Sequence, residues 1–246
     1  MKTVYLAMSV DLIHPGHIHI IQKAAGLGLL TVGVLSDSAI SSYKKIPYMN
    51  YSQRKNIIEN IKGVSNVVIQ ETVSYSDNIR SLNPDYVVHG DDWREGVLKN
   101  TRKELLNVLD EIGGELVEFS YTEGISSNML DEIKRPIGTT PSIRLSMLRR
   151  LLHAKQVVTV NEVHNGLCGL ITEVTSVERD GESVEFDAMW SSSLTDSTAK
   201  GMPDIEAVDM TSRVSSVNHI FEVTTKPMIF DADTGGKIEH FVFTVK

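Results

Sequence analysis

The chain is short of cysteine, of long apolar runs and of positive charge, and each shortage removes a class of protein. A single cysteine, Cys168, excludes an intrachain disulfide and a Cys-rich zinc site, and it fits a reducing compartment. No segment approaches the roughly 18 apolar residues of a membrane-spanning helix. The opening MKTVYLAMSVDL is too short for a signal sequence and is interrupted by Asp11 and His14. A soluble, cytoplasmic protein without a membrane partner is expected. Lys and Arg number 24 against 32 Asp and Glu, a net charge of −8, which argues against a surface that coats nucleic acid. A nucleotide is not excluded, because a few local cations and backbone N–H groups suffice to hold a triphosphate. With 246 residues, 41% of them hydrophobic, the chain can build one large core or two small ones.

What is present is an alternation of strands and helices. Thr3–Met8, Leu29–Leu35, 67–69, 86–88 and 116–119 read as strands. Helices are expected at 15–25, at 52–61 with Ser52 as its cap, at 76–82 and at 97–112. This rhythm predicts an α/β fold with a doubly wound, Rossmann-like parallel sheet, whose ligands bind outside the carboxyl ends of the strands. Residues 134–141, rich in Pro, Gly and Thr, divide the chain into a first domain over 1–133 and a second segment over 142–246. The second segment repeats the rhythm: helices at 143–152, 166–174 and 212–223, strands at 157–160, 186–189 and 228–230, and a last helical start at 238–245.

The most informative string is His14-Pro15-Gly16-His17, directly after the first strand and preceded by Asp11. Pro15 suits a helix's first turn, and Gly16 lets a phosphate approach the backbone. Two imidazoles three residues apart share a face at the helix's positive end, a geometry that suits charge developing on a transferring phosphoryl group.

With Lys44-Lys45 ahead of Tyr51-Ser-Gln-Arg54, with Gly90-Asp91-Asp92-Trp93 and with Thr122-Glu-Gly-Ile125-Ser126-Ser127, the first half resembles the cytidylyltransferase family of the HxGH nucleotidyltransferases, most nearly its glycerol-3-phosphate type. The resemblance implies that His14 and His17 stabilise the transferring group. Lys44, with Lys45 and Arg54 near it, would neutralise phosphates. Asp91, Asp92 and Trp93 would line the nucleotide and acceptor pocket. Thr122, Ile125, Ser126 and Ser127 would hold phosphates at a helix N-terminus. Asp11 would order a loop or accept a substrate hydrogen bond. Read without the resemblance, Lys44-Lys45 is equally a solvated pair, Arg54 a partner of Glu59, and Trp93 core packing. Two positions depart from the family: Tyr121 stands where an Arg is common, and Met8-Ser9 where Gly-Thr is common. Losing a bidentate phosphate-binding Arg points to a changed acceptor.

The second segment resembles the start of phosphoenolpyruvate mutase, of the isocitrate lyase superfamily. The carriers are Glu162-Val-His-Asn-Gly-Leu167, Trp190-Ser-Ser192-Ser193-Leu194, Asp204 and Asp231-Ala-Asp233-Thr-Gly235. The resemblance implies that Ser192, Ser193 and Leu194 bind substrate oxygens, that Trp190 and Asp204 belong to the site, and that Asp231 and Asp233 hold Mg²⁺. Such (β/α)₈ barrels need about 250 residues. About 105 follow the linker, so an incomplete barrel without mutase activity is expected.

The fusion resembles bifunctional enzymes of phosphonate synthesis. The expected reaction is therefore CMP transfer from CTP to 2-hydroxyethylphosphonate or 2-aminoethylphosphonate, with Mg²⁺, by a protein that self-associates as a dimer. Three alternatives stand beside it: a mutase within a longer protein, a glycerol-3-phosphate-type cytidylyltransferase with an inactive second segment, and an ATP-using adenylyltransferase.

Overall fold

A computed structural model describes residues 1–94, 98–120, 140–179 and 182–235. The chain divides into two compact units, one formed by Met1–Glu132 with Arg179–Glu182, the other by Ile133–Glu178 with Ser183–Lys246.

The first unit is built on five parallel strands, β1 (Thr3–Met8), β2 (Leu29–Leu35), β3 (Val64–Gln70), β4 (Tyr86–Gly90) and β5 (Glu115–Phe119), in the order β3-β2-β1-β4-β5. The contiguous apolar run of β1 is explained by burial on both faces. Val4, Leu6 and Met8 enter one core with Ile21 and Ala24 of α1 (Pro15–Leu27) and Ile58 of α3 (Tyr51–Glu59). Tyr5 and Ala7 enter the other, with Ala39 and Ile40 of α2 (Asp37–Ser41), Ile79 of α4 (Ser76–Leu82) and Leu105 of α5 (Lys99–Ile112). One local fit fixes β1 against β2: a Cβ at Gly33 would fall 1.9 Å from the Tyr5 hydroxyl, so only glycine admits that ring. The hydroxyl is then met by Gln70 and by Asn78 Nδ2, which donates to it at 2.8 Å.

In this strand order the winding reverses between β1 and β4, the topological switch point at which open α/β sheets bind ligands. The expected Rossmann-like α/β fold is the observed one. Its helix starts differ in detail. α3 begins at Tyr51 and is capped by Asn50, not Ser52: Asn50 Oδ1 accepts from Gln53 N at 3.0 Å, and Gln53 Oε1 accepts from Asn50 N at 2.9 Å. Asn50 wins because only it has Gln three residues on to complete the reciprocal pair. The linker lies largely outside the described residues. Thr140 caps the next helix, α6 (Pro141–Ala154), by accepting from Ile143 N.

The second unit carries a parallel sheet of β6 (Val160–Glu162), β9 (Ala188–Ser191) and β10 (Met228–Phe230), with β9 in the centre. Helix α7 (Gly166–Val174) packs on α9 (Met210–Val223). A Cβ at Gly169 would lie 2.9 Å from Ile220 Cγ2, so the glycine sets that close approach. Strands β6 and β9 start two or three residues later than the sequence suggested. Asp187 explains the delay: it binds Thr159 N at 2.9 Å, Thr159 Oγ1 at 3.0 Å and Lys155 Nζ at 2.6 Å, diverting the chain just ahead of both strands. A two-stranded pair, β7 (Ser176–Arg179) with β8 (Glu182–Glu185), and a short helix, α8 (Ser193–Ala199), were not expected. The helical start at 238–245 lies outside the described residues. Among the described residues no helix is long and apolar enough to cross a membrane.

Candidate active site

At the switch point the chain leaves β1 through Ser9 and Val10 and enters α1 at His14. Val10 is fully buried and has φ 46°, a left-handed conformation that a β-branched side chain adopts only under constraint. The constraint is visible on both sides. Arg54 Nη1 donates to the Ser9 carbonyl at 2.7 Å, and the Asp11 carboxylate accepts from Tyr48 N and Met49 N, each at 2.8 Å. Asp11 therefore orders a loop, the first of the two roles expected for it.

Arg54 departs from expectation. Its side chain is wholly buried, and its other donors go to Met49 O, Leu35 O and Asp37 Oδ1. It braces the site from behind and presents no face to a ligand. The expected phosphate contact and the pairing with Glu59 are both replaced by this brace.

His14 sits at the N-cap position of α1 with Pro15 next, and no acidic residue falls in the helix's first turn. The positive helix end is thus left for an external anion. The His14 and His17 rings lie 3.8 Å apart between centroids. His14 Nδ1 is buried without a hydrogen-bond partner among the described residues. His17 Nδ1 receives the His14 amide at 3.4 Å. Burial, then the neighbouring His14 and Lys44, lowers the His17 imidazole to about 4, and burial lowers that of His14. Both rings are therefore neutral N–H donors near pH 7 when no anion is bound.

The rings face a cavity of about 440 Å³, lined among others by Gly16, Lys44, His89 and Trp93. Lys44 Nζ donates to Ser9 Oγ at 3.1 Å, which places its ammonium at the end of β1. Lys45 is exposed and is not among the lining residues. Trp93 is buried, stacks on His89 at 3.7 Å and donates through Nε1 to Glu118 at 2.8 Å, so it is both packing and wall. Glu118 also receives Arg94 and Arg102, and these donors, Arg102 foremost, hold its carboxyl at about 2. Asp91 and Asp92 lie in the one-turn helix Asp91–Arg94 that follows β4, and Asp91 is half-buried. Thr122, Ile125, Ser126, Ser127 and Tyr121 lie outside the described residues. Sequence reasoning missed His89, Glu118 and Lys23. Lys23 carried a signal, because it lies seven residues after Gly16 and three after Ile20, on the helix face that presents both to the cavity.

In the second unit, Ser192 and Ser193 are buried while Trp190, Leu194 and Asp204 are exposed. Ser193 Oγ donates to Asp231 Oδ2 at 3.2 Å and Asp233 N to Asp231 Oδ1 at 3.1 Å, the latter chiefly holding the Asp231 carboxyl below its usual range. Arg213, fully buried, joins Asp196 at 3.0 Å to Asp233 at 2.9 Å. Of the expected cation ligands, Asp233 is thus already paired with a guanidinium. Among the described residues no three metal-ligating side chains gather.

Comparison with known proteins bears on both units. A family model described as Cytidylyltransferase-like matches residues 9–133, half of the chain. The chain belongs to the cytidylyltransferase-like family. A second model, Phosphoenolpyruvate phosphomutase, matches residues 148–246. Glycerol-3-phosphate cytidylyltransferase of Bacillus subtilis is 32% identical over 134 residues, which cover 54% of this chain and 96% of that protein. The bifunctional protein HldE of Hyphomonas neptunium is 31% identical over 125 residues, 49% of this chain and 24% of that protein. This cytidylyltransferase-like chain therefore spans about a quarter of the length of the HldE proteins that it matches. A solved phosphoenolpyruvate phosphomutase from Streptomyces platensis subsp. rosaceus is 29% identical with a TM-score of 0.34, over 41% of this chain and 32% of that one.

Proposed function

We propose that the first unit is a nucleotidyltransferase that moves CMP from CTP to a small alkylphosphonate, 2-hydroxyethylphosphonate or 2-aminoethylphosphonate. The observation that carries this reading is the close, neutral His14–His17 pair at an unneutralised helix N-terminus, facing a cavity with lysine on its wall and no acidic side chain among its described lining residues. A phosphonate oxygen attacks the α-phosphorus, the bond to the pyrophosphate oxygen breaks, and pyrophosphate leaves with that electron pair. The attacking oxygen is already anionic, so no general base is needed. The imidazole N–H groups and Lys44 stabilise the charge that grows on the α-phosphoryl oxygens. Arg54 and Asp11 keep the β1–α1 loop under these groups. With imidazoles and amines on the wall, Mg²⁺ would be held by the nucleotide's own phosphates and would supply charge neutralisation to the leaving group.

The choice of a phosphonate is supported by the phosphomutase-like match of residues 148–246, because that chemistry makes carbon–phosphorus bonds. The test is pyrophosphate release with CTP or ATP against both phosphonates, glycerol 3-phosphate and phosphocholine. Turnover with glycerol 3-phosphate and with neither phosphonate would overturn the acceptor assignment. The same match favours a second reading: within a longer protein, residues 142–246 contribute to conversion of phosphoenolpyruvate to phosphonopyruvate, with Asp231 toward Mg²⁺.

A further inference from the structure

We infer that Lys23 recognises the nucleobase, by donating to a pyrimidine carbonyl oxygen, and that it thereby sets the preference for CTP over ATP. The assignment rests on the nucleotidyltransferase reading and adds a residue to that site.

Lys23 lines the same cavity as His14 and His17, on the face of α1 that also presents Gly16 and Ile20. It is half-buried, and its Nζ lies 4.9 Å from the centroid of Phe119, another wall residue, at the end of β5. Among the described residues its ammonium makes this ring contact and no hydrogen bond or ion pair. A half-buried ammonium with three donors and only an aromatic face beside it lacks an acceptor, and an incoming ligand can supply one.

Position selects which part of the ligand that is. Lys44 is tied to Ser9 at the end of β1, whereas β5 lies two strands away across β4, roughly 10 Å at ordinary strand spacing. Along α1, six residues separate Lys23 from His17, roughly 9 Å of helix. A short acceptor bonded to the α-phosphorus beside His17 does not reach that far, whereas the base does, one ribose beyond the phosphate. The walls there, Phe119 and Ile20, are apolar and suit a flat ring. Cytosine and uracil each offer a carbonyl oxygen on the sugar side of the ring. Adenine offers there only its ring N3, a weaker acceptor than the cytosine O2 and part of a larger double ring, so an amine placed for the pyrimidine oxygen favours the pyrimidine.

The test is equilibrium binding of CMP, UMP, AMP and ribose 5-phosphate to the full chain and to Lys23→Met and Lys23→Gln proteins. Lys23→Met is expected to weaken CMP and UMP about tenfold each and to leave ribose 5-phosphate unchanged, the size of one lost charge-assisted hydrogen bond. Lys23→Gln, which keeps an N–H donor without the charge, is expected to recover part of the CMP affinity. Equal CMP binding by wild type and Lys23→Met overturns the assignment alone. Lys23→Gln as weak as Lys23→Met, with ribose 5-phosphate weakened alongside, assigns the ammonium to a phosphate and overturns the base contact. Wild-type protein that binds no cytidine nucleotide overturns the nucleotidyltransferase reading and this assignment with it.

Discussion

Among the described residues each unit buries one arginine completely, Arg54 in the first and Arg213 in the second, and their surroundings differ. Arg54 gives its hydrogen bonds to three main-chain carbonyls and one carboxylate. Arg213 gives its bonds to two carboxylates, and its Nη2, like Asp196 Oδ1, is buried without a partner among the described residues. The first guanidinium is a template for loop shape, since carbonyls must come to it from three separate segments. The second is a counter-charge inside an acidic cluster. Burial of a charge is stabilising only when its bonds are made, so the two should answer differently to the same substitution.

The largest expected effect follows from that difference. Arg54→Met should cost about 3–5 kcal/mol in urea unfolding of the first unit, and adding Asp37→Asn should not restore it, because orphaned carbonyls remain. Arg213→Met should be similarly damaging alone, yet adding Asp196→Asn should return most of the loss, because the buried charge goes with its partner. Rescue of Arg54→Met by Asp37→Asn would erase the distinction.

Next in size, His14→Ala and His17→Ala should each lower kcat for pyrophosphate release by about 10²–10³, the effect of removing one transition-state donor. Asp231→Asn in the second unit should leave that rate unchanged. A His17→Ala protein with full activity would remove the basis of the mechanism.

Acid should act on the first unit more gently. His17 has a folded value of about 4, below the ordinary 6.5 of an unfolded imidazole, so the unfolded state takes up the proton first. Its contribution to stability is complete above pH 6.5 and is lost as pH falls from there to about 4. Glu118, held at about 2, adds a second loss only below the ordinary 4.5 of an unfolded glutamate. Unfolding midpoints of the full chain against pH, compared with those of His17→Gln, should show the first loss vanish in the variant.

The smallest effect tests a helix start. Asn50→Ala should cost about 1 kcal/mol and Ser52→Ala close to none, as measured by thermal unfolding. The reverse order would return the cap to Ser52.

The same two regions show what the sequence can disclose. β1, β2, α4, α7 and β10 were legible to the residue, because an unbroken apolar run or a clean helical period ends in a recognisable breaker. The β7–β8 pair was not: apart from half-buried Glu185 its described residues lie on the surface, so no apolar run marks it. Helix α8 was missed because five of the seven residues of SLTDSTA are Ser, Thr or Asp, which also favour turns. Within the site, the histidine pair was legible because its chemistry depends on local spacing along one helix. The brace of Arg54 was not, because it depends on where β1 and β2 end, and the cavity position of Lys23 depends on β5.

One contact in the β1–α1 region has a consequence for variation. The Asp11 carboxylate holds the 48–49 loop by two main-chain N–H groups and by neither side chain. Every residue except proline offers that same N–H, so the Asp11 contact itself follows the course of the main chain at 48 and 49 and not the identity of the side chains there.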